Sequence, residues 1–81
     1  MSKWELIDSV IDNVKFICQK RDINLSDDEI RQRAIEWCNH TGYFTIDDIS
    51  ALVLHSKYDS QISVADMPAI RIKYYNEYKV V

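Results

Sequence analysis

Four side chains of this chain are of the kinds that hold a metal ion: Cys18, Cys38, His40 and His55. Thiolate and imidazole bind zinc when three or four of them converge on a tetrahedron. The spacing here argues against convergence. On one helix, Cys38 and His40 would point about 200° apart. Cys18 and Cys38 both fall on apolar stripes, where a free thiol behaves as a small hydrophobe. Two cysteines are also too few for a disulfide framework. The sequence contains no glycine-rich phosphate loop, no nucleophile elbow and no metal-binding His-Glu pair at helix spacing. His40 and His55 read as a helix-end residue and a surface residue. The expectation is a chain without catalytic residues, cofactor or metal, and not an enzyme.

What chemistry remains is charge and aromatic surface. The net charge is −3, and it is uneven. Residues 22–50 hold seven acids against Arg31 and Arg33, a net −5, while the segments before and after are slightly basic. An acidic middle repels phosphate backbones and suits a partner with a basic or mixed surface. Its candidate acidic face is Asp27, Asp28, Glu29, Asp47 and Asp48. No charged and apolar leader pattern opens the chain, and no apolar run approaches a membrane span. The cytoplasm is the expected compartment, with no membrane contact.

The elements that position these residues are helices. At 81 residues the chain makes one domain, 1–81, with a thin core. One glycine and one proline leave few breakers for a turn-rich β fold. Ser2 and Glu5 match a capping box, and Trp4, Ile7, Ile11, Val14 and Cys18 then recur at helical spacing to about Lys20. Ser26 and Glu29 repeat the box, with Leu25 and Ile30 placed as a hydrophobic staple and Asp27–Glu29 suiting the helix dipole. That helix carries Ile30, Ala34, Trp37, Cys38 and Thr41 on one face, and Gly42 stands where a left-handed cap is wanted. Thr45 and Asp48 open a third helix, with Phe44 and Ile49 as staple and Ile46, Ile49, Leu52, Val53 and Ser56 inward. Residues 57–60 form a polar connector.

The segment 66–81 admits two readings. A helix with Pro68 in its first turn would turn Met67, Ile70, Tyr74 and Tyr78 inward. Residues 70–74 also alternate with period two, and a turn at Asn76-Glu77 would make a β-hairpin. Three preceding helices supply a packing partner, and a lone hairpin is marginal. The expected fold is all-α, a compact three- or four-helix bundle.

Several large apolar residues have no place in that core. Phe16 falls in the middle of the first helix's polar face, and Ile72 and Tyr75 lie off the last helix's inward stripe. Tyr43 and Phe44 follow the tight turn at Gly42. Exposed aromatics are anchors that protein interfaces favour. The candidate protein-binding residues are therefore Phe16, Tyr43, Phe44, Ile72 and Tyr75. A helix-turn-helix reading of the second and third helices would put Asp47 and Asp48 against phosphates, and Asp48 where the motif wants a buried apolar residue. Tyr74, Tyr75 and Tyr78 with Arg71, Lys73 and Lys79 could stack on single-stranded nucleic acid, but the local excess is only +1.

The Ile-rich, Gly-poor, acidic composition resembles that of small accessory proteins from low-GC bacteria or their phages. That resemblance implies a partner-binding role and assigns no site. The expected function is a small non-enzymatic acidic protein-binding module that inhibits or regulates a host protein. The alternatives are a self-assembling homodimeric subunit and a nucleic-acid binder using the C-terminal segment.

Overall fold

The computed structural model describes residues 2–40 and 44–80, and within them every regular element is helical. Helix α1 spans Lys3–Arg21, α2 Asp27–His40 and α3 Ile46–His55. A short 3-10 turn, Val64–Asp66, then leads into α4, Met67–Lys73, which continues as a π-helical turn, Tyr74–Tyr78. The fold is all-α. The hairpin alternative does not arise, because the segment that would form its first strand is α4.

The helices begin where local chemistry starts them. Ser2 and Ser26 side chains accept from the backbone N–H of Glu5 and Glu29, satisfying amides that a helix N-terminus leaves unpaired. Thr45 and Asp48 complete a reciprocal box: Asp48 N–H donates to Thr45 Oγ1 and Thr45 N–H to Asp48 Oδ2. Pro68 occupies the first turn of α4, where its missing N–H costs nothing.

Helix α1 ends at Arg21, close to the expected Lys20. The helix stops on Asp22, which takes a left-handed conformation (φ 55°, ψ 46°), and Ile23 N–H bonds back to the carbonyl of Cys18 at 3.0 Å. Glycine usually fills such a position, so a five-residue link without glycine gave no sign of this cap. Thr41, Gly42 and Tyr43, which carry the proposed glycine cap and one interface candidate, lie outside the described residues.

Helix α1 packs on both α2 and α3, which also pack on each other, and α4 lies on α3. So α3 is enclosed by all three, and Ile49 through Leu54 are buried without a break. Periodicity assigned α3 an inward face and left Ser50, Ala51 and Leu54 out of it. A helix surrounded on all sides has no outward face. The core joins Ile7, Val10, Val14 and Ile17 of α1, Ile30 and Ala34 of α2, Leu52 and Leu54 of α3, and Met67, Ile70 and Tyr74.

Trp4 is a correction. Its spacing sets it on the inward stripe of α1, yet it is 61% exposed. On the wheel it lies roughly 80° from the centre of the buried stripe, in the helix's first turn. Asp48 is a second correction: grouped with the acidic face, it is buried.

Asp22 supplies the first test. Asp22→Gly relieves the left-handed strain and removes a carboxylate from a helix C-terminus, so it should stabilise the fold by about 0.5–1 kcal/mol. A chemical denaturation midpoint unchanged or lowered by this substitution would refute the assignment of the cap.

Candidate functional site

The sequence candidates divide by what the fold does with each. Phe16 is 46% exposed on α1, with the Lys20 ammonium 5.7 Å from its ring centroid. Phe44 is half-buried against the core, with the Arg71 guanidinium carbon 5.7 Å from its ring. Tyr43 lies outside the described residues. Ile72 and Tyr75 are 65% and 52% exposed, and they sit three residues apart on one side of the last helix. They are the two candidates that the structure brings together.

Their side of the helix is apolar up to Tyr75, with exposed Asn76 at its end. Pro68 and Ala69 are exposed beside Ile72, and Val64 is exposed one turn earlier. The opposite side, Met67, Ile70 and Tyr74, enters the core. Thus one short segment is apolar on both faces and only one of them is covered. Among the described residues, the other large exposed aromatics are Trp4 and Phe16 on α1 and Tyr58 in the turn after α3.

A polar network fixes the segment that carries this stripe. The buried Tyr74 hydroxyl donates to Asp47 Oδ1 at 2.7 Å and accepts from Asn13 Nδ2 at 3.2 Å. Asn13 also donates to Ser50 Oγ at 2.9 Å, so α1, α3 and the last helix meet at these side chains. Lys79 Nζ lies 2.8 Å from both oxygens of Asp47. One turn away, Arg71 forks onto Asp48, Nε to Oδ1 at 2.8 Å and Nη2 to Oδ2 at 3.0 Å. The π turn closes through Lys79 N–H to the carbonyl of Tyr74 at 2.8 Å. Arg21 of α1 then donates to the carbonyls of Tyr78 and Lys79. Among the described residues no buried side-chain polar atom lacks a partner.

The electrostatics follow from these contacts. The Arg71 fork holds the Asp48 carboxyl below its ordinary range, against the opposing effect of burial. Burial would raise Asp47, but the bonds from Lys79 and Tyr74 outweigh it and the carboxyl lies low. Burial, then the bond to Asp47, raises the Tyr74 phenol well above its usual value. Asp47 and Asp48 are therefore neutralised from within the chain. The acidic face contracts to Asp27, Asp28 and Glu29, all exposed at the start of α2, with Lys15 3.7 Å from Asp27.

The same pairs bear on the other constellations. Arg71 and Lys79 are committed to carboxylates, and of Tyr74, Tyr75 and Tyr78 only Tyr75 is exposed. Stacking on a nucleic-acid strand needs open rings and free cations. Helix α3, the would-be recognition helix, is the most enclosed element. Cys18 and Cys38 are buried free thiols, and burial raises both. His55 is half-buried near Lys73, and desolvation lowers it, whereas His40 stands edge-on to Trp37 with centroids 6.3 Å apart. Among the described residues, no three His, Cys, Asp or Glu side chains gather as a metal site would require. No helix is long and apolar enough among them to cross a membrane.

Sequence reasoning missed Asn13, the Arg71–Asp48 fork and the Lys79–Asp47 pair. Asn13 sits at the margin of α1's stripe, and a polar residue there signals nothing until its partner is known. The cluster of Tyr74, Tyr75 and Tyr78 with Arg71, Lys73 and Lys79 is visible in the sequence, but its complement at Asp47 and Asp48 is tertiary. Neither the sequence nor the fold matches a known family, a characterised protein or a solved structure.

The depressed carboxyls set a pH dependence. A carboxylate whose folded pKa lies below its unfolded value contributes stability above the unfolded value, and that contribution fades as pH falls through the folded one. Wild type should lose stability steadily below about pH 4, and Asp48→Asn, weaker at neutral pH, should lose less over the same range. Parallel stability–pH curves for the two proteins would show that the Arg71–Asp48 pair contributes nothing.

Proposed function

We propose that this chain is a non-enzymatic protein-binding module whose contact surface is the exposed apolar stripe of its last helix. One observation carries the reading: Ile72 and Tyr75 are large, adjacent and exposed on a segment whose other face is locked into the core. Tyr75 is itself held, edge-on to Tyr74 with centroids 5.2 Å apart and with Lys79 Nζ 5.8 Å from its ring. A rigid aromatic loses little entropy on docking, which is why such residues dominate interface energetics. The exposed carboxylates Asp27, Asp28 and Glu29 suit the rim of a basic partner and steer its approach more than they add affinity.

Two features support occupancy rather than catalysis as the mode of action. The perturbed ionisable groups of the network are matched by structural partners, and none is left aimed at open space. Among the described residues, one open groove runs between α1 and α2 beside Cys18 and Ile30, and another between Trp37 and Ile62. An accessory protein that inhibits or regulates a host protein by covering part of it is the role that fits such a surface.

Truncation separates surface from core. Ile72→Ala and Tyr75→Ala should each leave the melting temperature within a few degrees. A photo-crosslinking residue at position 75, expressed in the native host, should capture a protein that the same residue at exposed Gln32 does not. Ile72→Ala should weaken that capture by on the order of tenfold or more. Equal capture from both positions, or capture indifferent to Ile72→Ala, would remove the stripe as the binding surface.

A further inference from the structure

We infer that the last helix is an acid-released strap: protonation of Asp47 and Asp48 frees the segment from Val64 onward as a unit, while α1, α2 and α3 stay packed. The strap is held and freed from its inner side, whatever its outer stripe binds.

The four helices are not joined in the same way. Helices α1, α2 and α3 each pack on the other two, whereas α4 lies on α3. The three share an apolar core through Ile7, Val10 and Val14, Ile30 and Ala34, and Leu52 and Leu54. Among the described residues, the ion pair that joins two of these three, Lys15 with Asp27, is exposed and adds little. Many domains of roughly 55–65 residues fold alone, which is the size that α1 to α3 make together.

The last segment adds a polar joint to the apolar contacts of Met67, Ile70 and Tyr74. Among the described residues, its side-chain bonds to α3 all end on two neighbouring carboxylates in the first turn of that helix. Arg71 brings two donors to Asp48, and Tyr74 and Lys79 bring theirs to Asp47. From α1, Asn13 reaches the Tyr74 hydroxyl, and Arg21 reaches the carbonyls of Tyr78 and Lys79 at the exposed end.

Protonation undoes this joint at one place. Ionised, Asp47 and Asp48 face the cations Lys79 and Arg71, with the Thr45 N–H also on Asp48. Neutral, they leave both cations unmatched, with Arg21 beside Lys79, and a protonated carboxyl no longer accepts a guanidinium fork. Both carboxyls lie low in the folded chain, so the joint is complete at neutral pH. It weakens below about pH 4 and is lost as pH falls through the folded values. At the other end of α3, half-buried His55 gains charge in acid; around it stand Lys73, Asp59, Glu77 and Asp66. Once acid neutralises those carboxylates, only the repulsion from Lys73 remains there.

Residues 58–61 of the connector are exposed, so the strap can swing away without drawing buried chain with it. Its release uncovers the side of α3 that α4 closes, in a helix buried from Asp48 to Leu54. Neutral pH presents a fixed Ile72–Tyr75 stripe, and acid replaces it with the apolar side of a three-helix remainder.

Backbone chemical shifts of the full chain test this, followed from about pH 7 to about pH 2.5 in about 0.15 M salt to screen general repulsion. Below about pH 4, residues 67–78 should lose their helical shifts while α1, α2 and α3 keep theirs, and a dye for apolar surface should bind. Asp47→Asn combined with Asp48→Asn should reach the same state at neutral pH, where general protonation plays no part. Loss of all four helices at one pH overturns the inference, as does a last helix that keeps its shifts to the lowest pH. So does a double variant whose last helix stays ordered at neutral pH. A double variant that fails to fold overturns it too, because α1 to α3 would then not stand alone.

Discussion

One buried hydroxyl holds the arrangement of this molecule together. Tyr74 fills the core with its ring and places its oxygen where Asn13 of α1 and Asp47 of α3 can both reach it. A phenol in the interior must find partners or lose the solvation it had in water. Here the partners come from two other helices, so satisfying one oxygen sets the position and register of the last helix. Lys79 then neutralises Asp47, and Arg71 neutralises Asp48 one residue along. The π turn follows from this geometry. Its closing bond brings Lys79 back over the segment, and Arg21 caps the carbonyls that the wider turn presents.

Much of the fold was legible from local signals. The caps at Ser2, Ser26 and Thr45 act as their spacing implies. Pro68 stands in the first turn of α4, and Met67, Ile70 and Tyr74 face inward as their spacing requires. What escaped was set by tertiary placement. The left-handed cap of α1 falls on Asp22 and not on a glycine, and α3 is buried from Asp48 to Leu54 because α4 covers its second face. The exposure of Trp4 reflects a margin of the stripe at a helix end, which periodicity alone does not weigh.

The candidate site was half legible. Off-stripe positions identified Phe16, Ile72 and Tyr75 as exposed, and all three are. That Ile72 and Tyr75 form one surface while Phe16 stands on α1 needed the fold. Asp47 and Asp48 illustrate the limit more sharply. Counted by sequence they deepen an acidic face, yet their charge is cancelled by residues 23 and 32 positions later. The acids that still face solvent at the start of α2, Asp27 to Glu29, are those whose role in the helix dipole was already apparent.

A stripe fixed from behind is what distinguishes a preformed docking surface from a loosely attached tail. Tyr74→Phe keeps the ring and removes only the oxygen, so it addresses that fixing directly. Amide hydrogen exchange of this variant, with its denaturation midpoint, measures whether the network locks the last helix. The expected result is a loss of about 1–2 kcal/mol, with protection falling most over residues 70–79 and least in α1, as a local opening would require. Unchanged protection over 70–79, or an even decline across all four helices, would contradict the account.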